Sequence, residues 1–382
     1  MNKLSKFCKE FQVDKNIIYL NHAAVAPWPL RTRNAVIAFA EENFHSGSLN
    51  YLRWIETETE LRKKLQSLIN APSHHDIALV KNTSEALSMV AYGIDWTPGD
   101  NIVITNQEFP SNHIVWESLV SQGIELRLAD ITDRNSASAE QRIMQCCDKR
   151  TRLVSVSSIQ YASGLKLNLR QIGEFCKSEN ILFCVDAIQS VGALTFDVLE
   201  YHADFAMADG HKWMLGPEGL GFFYCASHVR DQLQLKQFGW HMIEDYGNYD
   251  TQNWQVAKSA RRFECGSPNM LGVHALNASL SLILDAGIDE IQEQVINNTR
   301  YMLELIENAE HLSLLSPSGL NQLGGIITFK HKYLPANMVY QRLKQHNVMC
   351  AERGGGVRFS PHFYTAKEQI RTALQLANNM ER

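Results

Sequence analysis

Apolar and polar positions follow two rhythms along this chain. Short apolar runs recur at Ile77–Val80, Asn101–Thr105, Ile124–Leu128, Leu153–Ser157, Ile181–Asp186, Phe205–Ala208 and Gly221–Cys225. Stretches with apolar residues every three or four positions lie between several of them, at Ser84–Ile94, Asn112–Ser121 and Leu169–Ser178. The first rhythm predicts buried strands and the second amphipathic helices. Their alternation predicts crossover units and a mostly parallel seven-stranded sheet covered on both faces, an α/β fold. In such sheets ligands gather at the carboxyl ends of the strands.

From about Val256 the pattern changes. A long helical stretch, Gly272–Glu307, is followed by a strand at Gly325–Lys330, a helix at Ala336–Gln345, a strand at Val357–Ser360 and a helix at Ala366–Met380. This predicts a smaller α/β C-terminal domain over 256–382. It closes on a large domain over 19–255, with the segment 1–18 packing against the small domain. The chain shows no internal repeat.

Polar residues interrupt the apolar runs at a few points, and those points carry the candidate chemistry. Asp186 ends a run that is otherwise apolar, where an acid is costly unless paired. An N-cap or an ion pair with an arginine is its plainer reading. Lys212 follows the next strand, in Asp209-Gly210-His211-Lys212-Trp213, with Gly216, Gly219 and Gly221 beyond it. Alone, it reads as a surface lysine at a strand end. Together, a lysine and an aspartate at neighbouring strand ends suit pyridoxal phosphate (PLP). The amine takes the cofactor aldehyde, and the carboxylate pairs with the protonated ring nitrogen. Gln189 is placed to reach the ring hydroxyl.

Asn82-Thr83-Ser84-Glu85 opens a helix after a strand, an anion site suited to the cofactor phosphate, although most such sequences only cap helices. His211 and Asp209 are candidates to complete that network. Phe109 is a candidate to stack on the flat ring, and Tyr161 to reach ring or substrate; each also reads as an ordinary core aromatic. Arg358 is the candidate fork for a substrate α-carboxylate. His22, Arg353 and His362 are further pocket candidates without an assigned role.

Composition narrows the classes. The 382 residues carry a net charge of −5 with no strong basic block, against a nucleic-acid surface. The eight cysteines form no CxxC pair and no metal-type spacing, so no metal site is expected and a reducing cytoplasm fits. No run approaches the ~20 apolar residues of a membrane helix. The first ten residues lack the apolar core of a secretory signal. No GxGxxG follows a strand, which disfavours a nicotinamide dehydrogenase.

Read together, the segments Tyr19–Ala24, Asn82–Ala86, Val185–Ser190, Asp209–Trp213, Arg262–Asn269 and Val357–His362 resemble the class V aminotransferase family of PLP enzymes. That family includes cysteine desulfurases, selenocysteine lyases and isopenicillin N epimerases. The resemblance implies the aspartate-aminotransferase-like fold (fold type I) and a homodimer with its active site at the subunit interface. It implies Lys212 as the Schiff-base lysine and Asp186 as the pyridinium partner. Gln189 would contact the ring hydroxyl, Thr83, Ser84 and His211 would hold the phosphate, and Ser267 would reach the neighbouring subunit's phosphate. Arg358 matches the family's carboxylate arginine.

Two departures stand out. The stacking position holds Phe109 where desulfurases have histidine. The segment before Arg358 is short and glycine-rich, and Cys350 in Val348-Met349-Cys350-Ala351 is the cysteine nearest to it. These departures favour a PLP enzyme acting at an amino acid's α-carbon by amino transfer or epimerisation. A C–S or C–Se lyase is the alternative, and a non-catalytic PLP-fold module is a reading of another class.

Overall fold

The computed structural model describes residues 3–132, 137–250 and 252–381, so residues 1–2 and 382 of the expected end segments lie outside it. Among the described residues a seven-stranded sheet runs in the order Ile77–Val80, Gly221–Cys225, Phe205–Asp209, Leu182–Asp186, Thr151–Ser157, Asn101–Thr105, Glu125–Ala129. Gly221–Cys225 pairs antiparallel with both its neighbours, and the other pairings are parallel. Each predicted strand is present, shifted by at most two residues at either end.

Apart from the exposed Arg152, strands Asn101–Thr105, Thr151–Ser157 and Gly221–Cys225 are buried along their length, as near-continuous apolar runs require when both faces are covered. The outer strand Glu125–Ala129 carries Glu125 and Arg127, charges that protect an edge. Helix Thr83–Gly93 is fixed at its start by Asn82, whose side chain accepts from Glu85 N at 2.9 Å.

A second sheet runs Ala351–Arg353, Gly356–Phe359, Ile327–His331, Leu312–Leu314, with antiparallel pairings throughout. Its core gathers Met302, Phe329, Phe359 and Ile370, and also Leu20 from the N-terminal part of the chain. Ile18–Tyr19 pairs with Val348–Met349. Phe11 stacks on Tyr364 at 3.5 Å, and both pack against the larger core that Leu4 and Phe7 join.

One expectation is corrected. The long helical stretch expected over 272–307 is divided into two helices, Met270–Ala286 and Ile288–Glu307, bent by 83°. Gly287 sits at the break with φ +90°, a conformation open to glycine and strained for other residues. Val273, Leu276, Leu280 and Ile283 of the first helix pack into the large core. We propose on this packing that the division between the two units falls at this bend rather than at 255/256. Among the described residues no single helix is long and apolar enough to cross a membrane.

Candidate active site

The carboxyl ends of the parallel strands converge on a cavity of about 270 Å³. Eleven sequence candidates line it: Thr83, Ser84, Phe109, Tyr161, Asp186, Gln189, Asp209, His211, Lys212, Arg353 and Arg358. The sheet register explains how distant residues meet. Asp186 pairs with Ser157 on one side and Met207 on the other, so the loops after three adjacent strands open onto the same space.

Asp186 and Lys212 are both buried. The carboxylate accepts from Ile188 N at 3.0 Å. Burial raises the Asp186 carboxyl above the usual carboxylate range, although that hydrogen bond and Lys212 oppose the shift. Burial lowers the Lys212 amine below the usual lysine range, against the pull of Asp186. The Lys212 Nζ lies 5.5 Å from the centre of the Phe109 ring. The lysine loop is tightly wound. Gly216 N donates to Gly210 O at 2.8 Å, and buried Leu215 is held at φ +61°, a strained conformation for a branched side chain. The loop seats against Gly192, where a Cβ would meet Trp213 O at 2.3 Å.

Gln189 is oriented from both ends. Its Oε1 accepts from Trp213 Nε1 at 2.8 Å and its Nε2 donates to Ala23 O at 3.1 Å, which leaves one amide hydrogen for the cavity. At the start of helix Thr83–Gly93, Thr83 Oγ1 donates to Asp209 at 3.1 Å. Ser84 Oγ donates to Ser111 Oγ at 2.8 Å, and Ser111 also lines the cavity. His211 is held neutral, its imidazole brought down to about 4 by burial and then by Lys212.

Phe109 and Tyr161 meet edge to face at 5.1 Å. A residue not singled out from sequence holds their loops together. The buried Glu108 carboxylate accepts from Thr105 Oγ1 at 2.8 Å, Asn112 Nδ2 at 2.9 Å, Ser157 N at 3.0 Å and Gln160 Nε2 at 3.1 Å. The signal was an acid directly before Phe109-Pro110 at a strand end. Asp209, Ser111 and the rim acid Glu218 complete the polar lining.

Arg358 is buried, and its Nη1 donates to Tyr161 O at 2.7 Å. Burial and then the nearby Arg353 bring its guanidinium down to about 10.

Other candidates lie elsewhere. His22 is buried behind the cavity wall, donating from Nδ1 to Ser360 O at 2.8 Å and facing the Tyr364 hydroxyl at 2.6 Å. Burial and then His362 keep it well below the usual histidine range. His362 is also buried, against Trp213 O at 3.2 Å, and burial brings it down to about 4. Neither is among the residues lining the cavity. Ser267 is exposed and does not line this chain's cavity. Cys350 is buried, its thiol pushed up to about 12 by burial, and no cysteine is among the lining residues.

The unsatisfied groups describe what fits. His211 Nδ1 and Arg358 Nε are buried with no hydrogen-bond partner among the described residues. Such groups are costly unless a ligand completes them. A flat, phosphorylated ring with an aldehyde and a basic nitrogen matches the lysine, the aspartate, the aromatic cover and the helix start.

Fold and cavity together define a PLP-dependent enzyme of fold type I. The profile of the aminotransferase class-V family matches residues 18–382, and the chain belongs to that family. A protein named "probable cysteine desulfurase" from Methanothermobacter thermautotrophicus is 31% identical, covering 92% of each chain. Among solved structures, the apo cysteine desulfurase of Thermococcus onnurineus has a TM-score of 0.86 at 26% identity, covering 97% of this chain and 96% of that one. The cystine C–S lyase C-DES, solved with its product cysteine persulfide, has a TM-score of 0.89 at 22% identity. That match covers 95% of this chain and 98% of C-DES. The curated relative and the Thermococcus structure carry desulfurase names rather than aminotransferase or epimerase ones.

Proposed function

We propose that this enzyme breaks the Cβ–S bond of a cysteine-type amino acid, with the sulfur departing on the leaving group rather than onto an enzyme cysteine. The observation that carries the second half is the thiol-free cavity, with Cys350 buried and its thiol raised to about 12. The names of the relatives support the first half.

In this reading Arg358 holds the α-carboxylate through the edge of its fork that Tyr161 O leaves free. Asp186 would hold the ring nitrogen of PLP, Gln189 would donate to the ring hydroxyl, and Thr83, Ser84 and His211 would bind the phosphate. When bound, PLP supplies the electron sink for charge released at the α-carbon. Lys212 Nζ takes the α-proton, a task eased by an amine that burial holds below the usual lysine range. Phe109 carries no exchangeable proton, so proton handling near the ring falls to Lys212. The electrons of the broken C–S bond leave with sulfur as a thiol, and hydrolysis of the remainder gives pyruvate and ammonia. For cysteine the balance is cysteine plus water to pyruvate, ammonia and hydrogen sulfide.

The protein acts as a homodimer in this reading, with Ser267 serving the neighbouring subunit's phosphate. Support comes from the exposure of Ser267 and from Phe44, Leu49 and Leu52, each about 80% exposed on one stretch of the chain. Such side chains are seldom left in water as a group.

Incubation with cysteine or cystine tests the chemistry. Pyruvate forming in step with released thiol is the expected result. Alanine with transferable sulfur would instead indicate persulfide chemistry, and amine exchange dependent on a keto acid would indicate a transaminase.

A further inference from the structure

The hairpin Ala351–Arg353 with Gly356–Phe359 presents two arginines to one cavity. Gly354 and Gly355 both have positive φ, +59° and +76°, the conformation of a two-residue type I′ hairpin turn. The register pairs Ala351 with Arg358 and Arg353 with Gly356. Side chains alternate across a strand, so Arg353 shares a face with Ala351, and Ala351 shares that face with Arg358. The two arginines are therefore diagonal neighbours, about 7–8 Å apart at their origins. Gly354 keeps the turn close to the Tyr161 loop, since a Cβ there would meet Ala162 Cβ at 3.2 Å.

Neither guanidinium is neutralised from within the protein. Among the described residues no carboxylate lies within ion-pair distance of Arg353 or Arg358. Of the charges around it, Arg353 acts most strongly on the Arg358 guanidinium. Among the cavity acids, Asp186 accepts from Ile188 N and Asp209 from Thr83, and Glu218 interacts with Asp209. Two like charges a short distance apart are unfavourable without an anion between or beyond them.

One α-carboxylate accounts for one of them. Arg358 is buried, braced by Tyr161 O, and has an unpartnered Nε. A bidentate carboxylate completes that fork. Arg353 remains, exposed at the rim and bonded by Nη1 to Glu352 O at 2.7 Å.

We propose that Arg353 is a specificity-determining residue that reads a second anionic group on or beyond the substrate's sulfur, so that the preferred substrates are cysteine derivatives with a negatively charged sulfur end. This rests on the C–S cleavage reading above, and it names the substrate class of that same site.

The test uses the holoenzyme and its Arg353→Gln and Arg353→Lys variants. Affinities for L-cysteate and L-alanine are read from the shift of the cofactor's absorption band. The wild type is expected to bind cysteate about 10-fold or more tightly than alanine, the size of a charge-assisted contact. Arg353→Gln should erase that preference while leaving alanine within about 2-fold, and Arg353→Lys should restore part of it. Parallel weakening of both ligands would place Arg353 on the α-carboxylate and overturn the proposal. So would a wild type with no preference. Pyruvate formation from S-sulfocysteine and from cysteine is measured alongside. Absence of pyruvate from both sinks the C–S cleavage reading, whereas the affinity ratios still judge Arg353.

Discussion

Arg62 and Lys212 are both buried cations, and their surroundings differ in kind. Arg62 is closed in: its Nη1 donates to Ile77 O at 2.7 Å and Glu264 Oε1 at 2.6 Å, and its Nη2 reaches Glu264 Oε2 at 2.7 Å and Glu58. Glu264 also accepts from Leu79 N at 2.9 Å. Burial alone would lower the Arg62 guanidinium, but Glu264 and Glu58 outweigh it and hold it above its ordinary range. Lys212 has Asp186 and Asp209 as opposing charges, yet burial prevails and its amine falls. Around it, Arg358 Nε has no hydrogen-bond partner among the described residues, and His211 Nδ1 stands 3.6 Å from Asp209. A structural ion cluster meets its cation with enough carboxylate to offset burial, whereas a binding site leaves that charge for the ligand.

Substitution should separate the two clusters. Lys212→Ala is expected to lower turnover by at least about 10²–10⁴-fold, the range for losing a positioned acid–base group. Its stability should change by no more than about 1 kcal/mol. Steady-state rates and urea denaturation read the two quantities. Arg62→Ala should do the reverse. It leaves two buried carboxylates unpaired and should cost about 3–5 kcal/mol in the same denaturation experiment.

A smaller effect is expected from Arg358→Gln. Loss of a charge-assisted carboxylate contact should raise KM or lower kcat/KM about 10- to 100-fold. The pH dependence of cofactor uptake sharpens the contrast further. A lysine attacks an aldehyde in its neutral form, which grows as pH rises through its pKa. Reconstitution of the apoprotein with PLP should therefore accelerate at pH values below the 10.5 of an ordinary lysine. A rate still climbing above that value would show an unperturbed amine. The smallest effect is reserved for Cys350→Ala, which should retain C–S cleavage within about 2-fold and cost about 1 kcal/mol of packing. Loss of cleavage there would restore a sulfur-carrying role for that thiol.

Much of the site was legible because its chemistry breaks a pattern. Asp186 interrupts an apolar strand, and Lys212 sits among glycines at the next strand end, so both stand out in the chain itself. Residues that act through geometry were harder to read. His22 and His362 lie in family-like segments, but the fold turns both into the packing behind Trp213. Glu108 looks like an ordinary loop acid until the register brings Ser157 beside it. The shared face of Arg353 and Arg358 depends on a two-residue turn, and one more residue would have flipped one side chain. Gly287 breaks a helix that periodicity alone continues, because a single glycine within a helical pattern is tolerated. Helices Leu30–Ser46 and Tyr51–Leu68 were not among the predicted elements; the buried stripe of the second includes the charged Glu58 and Arg62, and the two leave Phe44 and Leu52 exposed.

The central claim is that the under-bonded cavity around Lys212 and Asp186 is where PLP is held. Borohydride reduction of the yellow holoenzyme followed by peptide mass mapping tests it most directly. The account predicts a pyridoxyl group fixed on Lys212 and none in Lys212→Ala. A label on another lysine, or one that persists in the variant, would contradict it.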